Sequence, residues 1–297
     1  MKSFKHAFLI GAYKNPEYLK MLVDSLRRER SNIYIHINPL YINDFKDLIS
    51  FYDAVDDVTT ISTQKVRWGG VTFLNSIMDL MGVALKNKDN GYFHLLTGQD
   101  ILIKPLSKLY QFFDTHYGEE FIDCGKDLIE QKEKSYLTGL NRSQYYHLFD
   151  FLNYRNNKVH RQLEKYFVKA QMALQIKRKW PFPNYYNGLG WFSFTRGAVE
   201  EIVKYIQLHR KVVDFTFAPD EVIFQSIILN SDKNYKVINN NLRFTLWSND
   251  EEVGSSDILT EQHYQSLINS DAFFARKIEP ARSEKLIKMI NNYIQTT

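Results

Sequence analysis

Residues 6–38 read HAFLIGAYKNPEYLKMLVDSLRRERSNIYIHIN, and this stretch predicts a strand, a helix and a second strand in succession. Residues 6–12 form a short apolar run of the kind that buried strands have. An Asn-Pro pair then signals a turn into a helix, and residues 16–28 carry apolar side chains at helical spacing. Residues 32–38 are rich in β-branched and aromatic side chains, which favours a second strand.

The same alternation continues through the first half of the chain. Further strands are predicted at residues 58–62, 92–97 and 120–124, and helices at 72–85 and 106–116. This alternation predicts an α/β fold whose sheet is parallel or mostly parallel and covered by helices on both faces. Because such sheets bind ligands beyond the carboxyl ends of their strands, we expect the functional site at that edge.

The middle of the chain has a different composition. Residues 126–180 are polar, rich in Lys, Arg, Gln and Asn, and helical in pattern at 161–176. We expect a helical excursion from the sheet, which is either an insertion that acts as a lid or a solvated hairpin. No linker divides the chain, so we predict a single domain over residues 1–297. Later elements are a strand at 191–195, a helix at 198–209, a helix opened by Pro219, a strand at 242–247 and a C-terminal helix at 281–297.

Composition excludes several classes of protein. The 38 basic and 34 acidic residues give a net charge of +4, which is too small to indicate nucleic-acid binding but suits an anionic ligand or membrane surface. The single cysteine, Cys124, excludes an intrachain disulfide and favours a reducing compartment. No stretch reaches the roughly 20 apolar residues of a membrane helix, and the N-terminus lacks the pattern of a signal peptide. We therefore expect a cytoplasmic protein.

The stretch FAPDEVIFQSIILN at residues 217–230 contains the acidic pair Asp220 and Glu221. One interpretation is structural, because Pro219 followed by acids is a common helix start that interacts well with the helix dipole. The other is functional, because so apolar a helix leaves one carboxylate near a cleft wall, where desolvation raises its pKa toward that of a general base. Taken alone, the pattern favours the structural interpretation and leaves the other open.

The sequence lacks the usual metal and phosphate motifs. It contains no Asp-x-Asp, no His-Glu-x-x-His and no glycine-rich phosphate loop. An enzyme that handles a diphosphate without a divalent metal needs cationic side chains to stabilise the leaving group. Arg276 and Lys277 are adjacent cations of this kind, although their spacing alone indicates an ordinary surface pair.

Six segments together resemble one known family. They are RWGGVTFLNSIMDLMGVAL, YFHLLTGQDILIKP, GLGWFSFTRGAVEEIV, APDEVIFQSIILN, NLRFTLW and SDAFFARKIEP. The family is that of the core-2/I-branching enzymes, inverting β-1,6-N-acetylglucosaminyltransferases that are grouped with the protein O-xylosyltransferases, and the resemblance covers residues 6–280. It implies a GT-A fold, a Rossmann-like sheet that carries donor and acceptor sites, and no metal cofactor. It also implies transfer of a sugar, with N-acetylglucosamine in β-1,6 linkage as the first expectation, from a UDP-sugar to a glycan hydroxyl.

The resemblance also implies roles for individual residues. The catalytic base of the Pro-Asp-Glu motif falls on Glu221, and the diphosphate-binding lysine falls on Lys277. The second phosphate-binding arginine is not matched, because this chain has Ser256 and Asp257 there; Arg276 or Arg243 is the expected substitute. Expected donor contacts are Gly11, Ala12, Tyr13, Asn38, Arg67, Trp68, Gly69, Gln99 and Asp100. Expected acceptor contacts are Gly190, Trp191 and Asp220, with core packing as the alternative for both tryptophans.

Several alternatives stay open. The donor could instead be UDP-xylose, UDP-glucose or UDP-galactose, and a non-catalytic glycan- or nucleotide-binding protein is a third interpretation. With one cysteine and a start close to its first strand, the sequence resembles a bacterial cytoplasmic member that extends a surface polysaccharide or a lipid-linked oligosaccharide. Peripheral contact with the inner membrane face is compatible with the basic excess and with the amphipathic C-terminal helix, whose more direct role is packing.

Overall fold

The computed structural model describes residues 4–125, 135–247 and 256–296. Strands and helices alternate through the first half, as the sequence predicts. The strands, in chain order, are β1 (Lys5–Ala12), β2 (Ser31–Ile37), β3 (Val58–Ile61), β4 (Asn90–Thr97), β5 (Ile101–Leu102), β6 (Glu119–Ile122), β7 (Phe192–Thr195), β8 (Lys236–Asn239), β9 (Arg243–Thr245) and β10 (Phe274–Arg276).

Helices cover the sheet and form part of the excursion. The α-helices are α1 (Pro16–Leu26), α2 (Lys46–Tyr52), α3 (Val71–Ala84), α4 (Leu106–Thr115), α5 (Asn141–Gln144), α6 (Lys158–Ala173), α7 (Arg196–Leu208), α8 (Ile223–Leu229), α9 (Tyr264–Asn269) and α10 (Pro280–Thr296). Short 3-10 segments lie at Pro39–Phe45, Arg210–Val212, Pro219–Glu221 and Glu261–His263.

The largest sheet in the described ranges has seven strands in the order β3-β2-β1-β4-β7-β6-β8. The first four strands of that order run parallel, β7 is antiparallel to both of its neighbours, and β6 and β8 are parallel. The predicted α/β fold with a mostly parallel sheet is therefore confirmed.

Alternation along β1 explains why both faces of the sheet are covered. Phe8 and Ile10 belong to the core that α1 and α4 cover, whereas Ala7 and Leu9 belong to the core under α3, α7 and α8. Successive side chains of a strand point to opposite faces. An almost wholly apolar strand therefore contributes to two cores at once.

A second sheet, with the strand order β5-β10-β9, lies beside the first. Its residues Leu102 and Phe274 share a core with Phe8 of the large sheet. Helix α10 packs its apolar residues against this small sheet, in a cluster that includes Leu286, Ile290 and Ile101. Packing is thus the observed role of the C-terminal helix. No helix in the described ranges is both long and apolar enough to cross a bilayer.

Two features differ from the sequence prediction. The strands β5, β8 and β10 were not predicted, because segments of two to four residues are too short to show periodicity. The continuous helix expected from Pro219 is wrong. The chain forms a separate turn at Pro219–Glu221, and α8 starts only after Val222. The Glu221 carbonyl accepts from Gly188 N at 3.0 Å, so this oxygen bonds outside the helix.

Candidate active site

The turn at Pro219–Glu221 is held between two loops that are distant in sequence. Ala218, just before the turn, is left-handed with φ 43°, and its N–H donates to Gly69 O at 2.8 Å. On the other side, the Glu221 carbonyl accepts from Gly188 N. Long-range backbone hydrogen bonds therefore position the Asp220–Glu221 pair.

Two glycines make this close approach sterically feasible. Gly69 has φ +75°, and a Cβ there would lie 2.8 Å from the Phe217 ring and 2.9 Å from the Phe149 ring. A Cβ on Gly190 would lie 2.9 Å from Asp220 O and 3.0 Å from Asp220 Oδ2. Only glycine fits such contacts without displacing the neighbouring chain. Both residues thus seat the acidic turn, whether or not they also contact a ligand.

Glu221 has one carboxylate oxygen anchored and one open. Arg142 Nη1 donates to Glu221 Oε2 at 2.7 Å, and the side chains are 11% and 39% exposed, respectively. The Arg142 guanidinium also lies 5.3 Å from the centre of the Phe217 ring. Glu221 Oε1 accepts no hydrogen bond from any residue that the structure describes. An oriented carboxylate with a free oxygen is the arrangement that a general base requires.

Asp220 lies in a different environment from Glu221. Burial and, to a smaller extent, the adjacent Glu221 raise the pKa of Asp220 to about 7, although Arg142 acts in the opposite direction. Adjacent carboxyl groups whose environments differ in this way can hold different protonation states near neutral pH. Asp220 is therefore able to carry a proton beside Glu221.

The excursion supports Arg142 through a buried hydrogen bond between two of its side chains. Glu164 of α6 accepts from His147 Nδ1 at 2.7 Å and from Leu148 N at 2.9 Å, and both ionisable side chains are fully buried. The second ring nitrogen of His147 lies 3.3 Å from Asn141 O, next to Arg142. Helix α6 is therefore linked directly to the segment that carries Arg142.

Cations gather at the end of β10. Arg276 places its guanidinium 4.1 Å from the centre of the Trp191 ring, and its Nε lies 3.3 Å from Asp100 Oδ1. The side-chain ammonium of Lys277 forms no hydrogen bond or ion pair with any part of the chain that the structure describes. Its pKa is lowered, first by burial and then by the positive charges of Lys14, Arg155 and Arg276. A half-buried, unpaired ammonium among other cations is a site for an anion.

One line of contacts connects these cations to Glu221 through the excursion. Arg155 lies 5.3 Å from the centre of the Trp68 ring, and Trp68 packs against Phe217 at 5.6 Å between ring centres. Phe217 precedes the left-handed Ala218 and the acidic turn. Arg155 thus lies between the aromatic residues beside Glu221 and the Lys277 ammonium, whose pKa its charge lowers.

A second line of contacts joins the same two groups on the other side. Arg276 stacks on Trp191, Gly190 precedes this tryptophan, and Gly190 rests against Asp220. The two lines meet at Lys277, because the positive charges of Arg155 and Arg276 both act on its ammonium, and together they define a circle of residues that we call the contact ring. Its members are Arg142, Glu221, Asp220, Gly190, Trp191, Arg276, Lys277, Arg155, Trp68 and Phe217. The ring thus links the positioned carboxylate of Glu221 to the unpaired ammonium of Lys277.

Comparison with known proteins gives a family match over residues 6–268, to Core-2/I-Branching enzyme. The chain belongs to the Core-2/I-Branching enzyme family. It is similar to xylosyltransferase 2 of Rattus norvegicus and of Homo sapiens. Each is 22% identical over 302 positions, which cover 93% of this chain and 32% of that protein. The chain spans about a third of the length of these relatives.

Two solved structures resemble this chain over most of its length. Mouse xyloside xylosyltransferase 1, in its apo form, has a TM-score of 0.41 and 11% identity and covers 91% of this chain and 97% of its own. A 4-diphosphocytidyl-2C-methyl-D-erythritol synthase from Anaerococcus prevotii has a TM-score of 0.42 and 12% identity, with coverage of 99% and 97%.

On the expected donor side of the site, Tyr13 and Gln99 lie together. Tyr13 is 41% exposed and donates its hydroxyl to Gln99 Oε1 at 2.9 Å. Gln99 O in turn accepts from Ile278 N at 2.8 Å, which fixes the segment directly after Lys277. The structure therefore brings Tyr13 and Gln99 close to Lys277, as a shared donor site requires.

Gly11 and Ala12 support the site through their backbone carbonyl groups. Gly11 O accepts from Gly98 N and Ala12 O accepts from Asn38 N, each at 2.9 Å. These bonds align the ends of β1, β2 and β4. Asn38 itself is buried, and its side chain donates to Val66 O at 3.1 Å and accepts from Leu40 N at 3.2 Å. In this structure Asn38 caps the turn after β2, so its amide is engaged within the protein.

Asp100 and Arg243 need correction, because the structure places both inside the protein. Asp100 is fully buried, accepts from Thr97 N at 2.7 Å and faces Arg276, so it orients that cation instead of contacting a sugar. Arg243 is 7% exposed, and its guanidinium donates to Phe192 O at 2.7 Å and Leu95 O at 3.0 Å. Burial lowers its pKa to about 9. Arg243 is therefore withdrawn as a phosphate contact, whereas Arg276 stays in the contact ring.

Arg67 is exposed and lies at the edge of the site. Its Nη1 donates to Phe151 O at 3.3 Å, so in this structure it bonds to the excursion and not to the cation cluster. The neighbouring Trp68 packs in a small cluster with Phe149, Tyr154 and Phe217. Trp191, similarly, is 8% exposed and packs in the main core. Both tryptophans thus pack as the alternative interpretation expected, while each also supports a cation.

Sequence reasoning missed three residues of the site, namely Arg142, Arg155 and Lys14. Arg142 and Glu221 are 79 positions apart, and no local pattern marks one basic residue among the many of the excursion. Lys14 follows β1 and forms an ion pair with Glu279. The only available signal was the general expectation that the excursion acts as a lid.

Among the residues that the structure describes, no group of metal ligands marks this site. Within the described ranges, no three His, Cys, Asp or Glu side chains gather as metal ligands. Cavities of about 350 and 600 Å³ open elsewhere, near the amino ends of β1, β2 and β3, and are lined by residues such as Lys5, Asn32, Asp57 and Thr59. Ligands of sheets of this class bind at the carboxyl ends of the strands, so we place the candidate site at the contact ring.

Proposed function

We propose that this chain is an inverting glycosyltransferase that moves a sugar from a UDP-sugar to a glycan hydroxyl without a divalent metal. The arrangement of Glu221 carries the proposal. Arg142 holds one oxygen of its carboxylate, and the other oxygen is open within a ring of contacts that also contains the unpaired Lys277. A base and an anion site so arranged suit proton removal at an acceptor and charge stabilisation at a leaving group.

In the proposed reaction, Glu221 Oε1 takes the proton of the acceptor hydroxyl. The hydroxyl oxygen forms a bond to the anomeric carbon while the bond from that carbon to the UDP oxygen breaks. UDP leaves with the electron pair, and the configuration at the anomeric carbon inverts. Arg142 keeps the carboxylate pointed at the acceptor. General-base assistance of this kind contributes roughly 10²- to 10⁴-fold to the rate.

The cation cluster supports a metal-free leaving group. Four cations lie together, Lys14, Lys277, Arg155 and Arg276, and two carboxylates face them, Asp100 and Glu279. The difference of two positive charges suits a diphosphate, whose developing charge must be stabilised in the transition state. Arg155 and Arg276 are our candidates for the missing second phosphate contact.

The donor sugar is proposed at two levels. UDP-N-acetylglucosamine, transferred in β-1,6 linkage, is the first proposal because the family motifs resemble that branch. UDP-xylose is the main alternative, because the curated relatives are named xylosyltransferase 2. UDP-glucose and UDP-galactose are tested beside them. The proposed acceptor is a glycan or a lipid-linked oligosaccharide. A non-catalytic binding protein is less well supported, because it gives no reason for the free oxygen of Glu221.

Thermal shift and UDP release test the proposal together. UDP and the four UDP-sugars are added with EDTA or with Mn²⁺, and the true donor should raise the melting temperature equally in both. UDP release from that donor is then measured with simple alkyl glycosides as acceptors. Glu221→Gln should keep the thermal shift but lose release by about 10²-fold or more.

Charge-matched variants locate the phosphate site. Lys277→Met should abolish most of the rise in melting temperature that UDP causes. Lys285→Met changes a lysine on α10 that is 78% exposed, and it should leave that rise unchanged. Stabilisation that requires Mn²⁺ would contradict metal independence. Unchanged UDP release by Glu221→Gln would contradict the role of the base.

A further inference from the structure

Helix α6 has an apolar stripe that faces outward. Its buried face consists of Glu164, Val168 and Gln171. On another side, the positions i, i+4, i+7, i+8 and i+11 lie together at 3.6 residues per turn. These positions are Val159, Leu163, Tyr166, Phe167 and Ala170, and all of them are exposed.

This stripe is unusually open for a surface helix. Val159, Leu163 and Tyr166 are 66%, 52% and 65% exposed, and Leu174 and Ile176 extend the apolar surface past the end of the helix. A surface helix ordinarily presents polar side chains to solvent. A contiguous exposed apolar surface usually marks an interaction site.

The charges beside the stripe are all positive. Lys158, Lys165 and Lys169 occupy positions i, i+7 and i+11, which form a row along one margin of the stripe. The single acidic residue of α6, Glu164, is fully buried and bound to His147. The solvent-facing surface of α6 therefore combines apolar side chains with unopposed cations.

We propose that α6 docks on an anionic lipid membrane, with its stripe in the boundary between headgroups and acyl chains and its lysine row against the lipid phosphates. A basic amphipathic helix lies in a membrane interface in this way. A second copy of the chain fits less well. A twofold contact through the same face would bring the two lysine rows together, and like charges oppose such association.

The position of α6 gives the docking a consequence for the site. Glu164, on the buried face of the helix, bonds to His147 and Leu148, next to the segment that carries Arg142. A docked α6 thus fixes how the Glu221 side of the contact ring is oriented relative to the bilayer. This orientation suits an acceptor that is anchored in lipid. The docking itself does not depend on sugar transfer, so it can succeed or fail independently of the proposed function.

Vesicle sedimentation tests the docking. The full chain is mixed with vesicles of phosphatidylcholine alone or of phosphatidylcholine with phosphatidylglycerol, and we expect partition onto the second kind only. Each lysine near an anionic surface contributes about fivefold to the partition coefficient. The triple variant Lys158→Gln, Lys165→Gln, Lys169→Gln should therefore bind roughly a hundredfold less tightly. The double variant Leu163→Gln, Tyr166→Gln should have a partition coefficient about tenfold lower, or lower still.

Two controls match these variants in chemistry. Lys233→Gln, Lys285→Gln, Lys288→Gln removes three lysines that are 62%, 78% and 71% exposed elsewhere. Leu208→Gln changes a leucine on α7 that is 68% exposed. Both controls should keep most of the binding, and melting temperatures should show that all variants fold.

Three outcomes would overturn the docking proposal. In the first, the wild-type chain stays in the supernatant with both vesicles. In the second, the control variants lose as much binding as the α6 variants, which would mean that net charge alone attracts the protein. In the third, sedimentation velocity shows a dimer that Leu163→Gln with Tyr166→Gln dissociates, which would assign the stripe to a second copy of the chain.

Discussion

The bond between Arg142 and Glu221 gives the most decisive prediction for the site. Arg142→Gln removes a charge-assisted hydrogen bond of 2.7 Å whose partners are 11% and 39% exposed. Such bonds contribute about 1.5–3 kcal/mol when well buried. Because Glu221 is more than a third exposed, we expect about 1 kcal/mol for folding stability. That corresponds to a loss of about 2 °C in melting temperature for a chain of this size.

The effect of Arg142→Gln on activity should be much larger than its effect on stability. A catalytic group displaced by about 1 Å can cost roughly 10²-fold in rate. We therefore expect kcat for UDP release to fall by about 10- to 100-fold, with KM for the UDP-sugar unchanged. Arg142→Lys keeps the positive charge but loses the planar guanidinium. Its kcat should therefore lie between the values of the wild type and of Arg142→Gln. As a control, Arg210→Gln removes another 2.7 Å ion pair, with Asp214, and should leave activity intact.

A double-variant cycle decides whether Arg142 acts through Glu221. If it does, adding Arg142→Gln to Glu221→Gln should cause almost no further loss, because effects of residues that act as a unit do not add. The same fold loss in both backgrounds would refute this reasoning and assign Arg142 an independent role, such as acceptor binding. Full activity of Arg142→Gln would refute it as well.

Three further predictions concern the rest of the contact ring. Gly190→Ala would place a Cβ 2.9 Å from Asp220 O and displace the acidic turn. The rate of UDP release should therefore fall about tenfold or more, while the melting temperature falls only slightly. A rate equal to that of the wild type would show that the turn can shift freely. The pKa of Asp220 is raised from 3.8 to about 7, so the folded state gains stability from this group below pH 4 and loses it as the pH rises through 7. The melting temperature of wild type relative to Asp220→Asn should therefore decline across that window, and a constant difference would contradict the raised pKa. If Arg155 contacts the diphosphate, Arg155→Met should raise the Kd for UDP about tenfold. A UDP titration followed by thermal shift measures this Kd, and an unchanged value would exclude the contact.

Periodicity along the chain was enough to predict most of the large sheet, although not its edge strand β8. The apolar run at residues 6–12, the helical spacing that follows and the second strand agree with β1, α1 and β2 within two residues at each boundary. Such patterns succeed because alternation and helical spacing report which side of an element is buried, and burial of consecutive residues is a local property. Glu221 was predicted as the base in the same local way, because its motif is contiguous.

Tertiary structure alone decided which side chains lie beside Glu221 and Lys277. Arg142 comes from an excursion 79 positions away, and Arg155 and Lys14 reach Lys277 from two further segments. The exposure of side chains was decided in the same way. Arg243 and Arg276 look alike in sequence, yet one bonds to carbonyl groups inside the protein and the other stacks on Trp191 at the site. Residue type determines which interactions a side chain can make, whereas long-range packing determines which partners and how much solvent it meets.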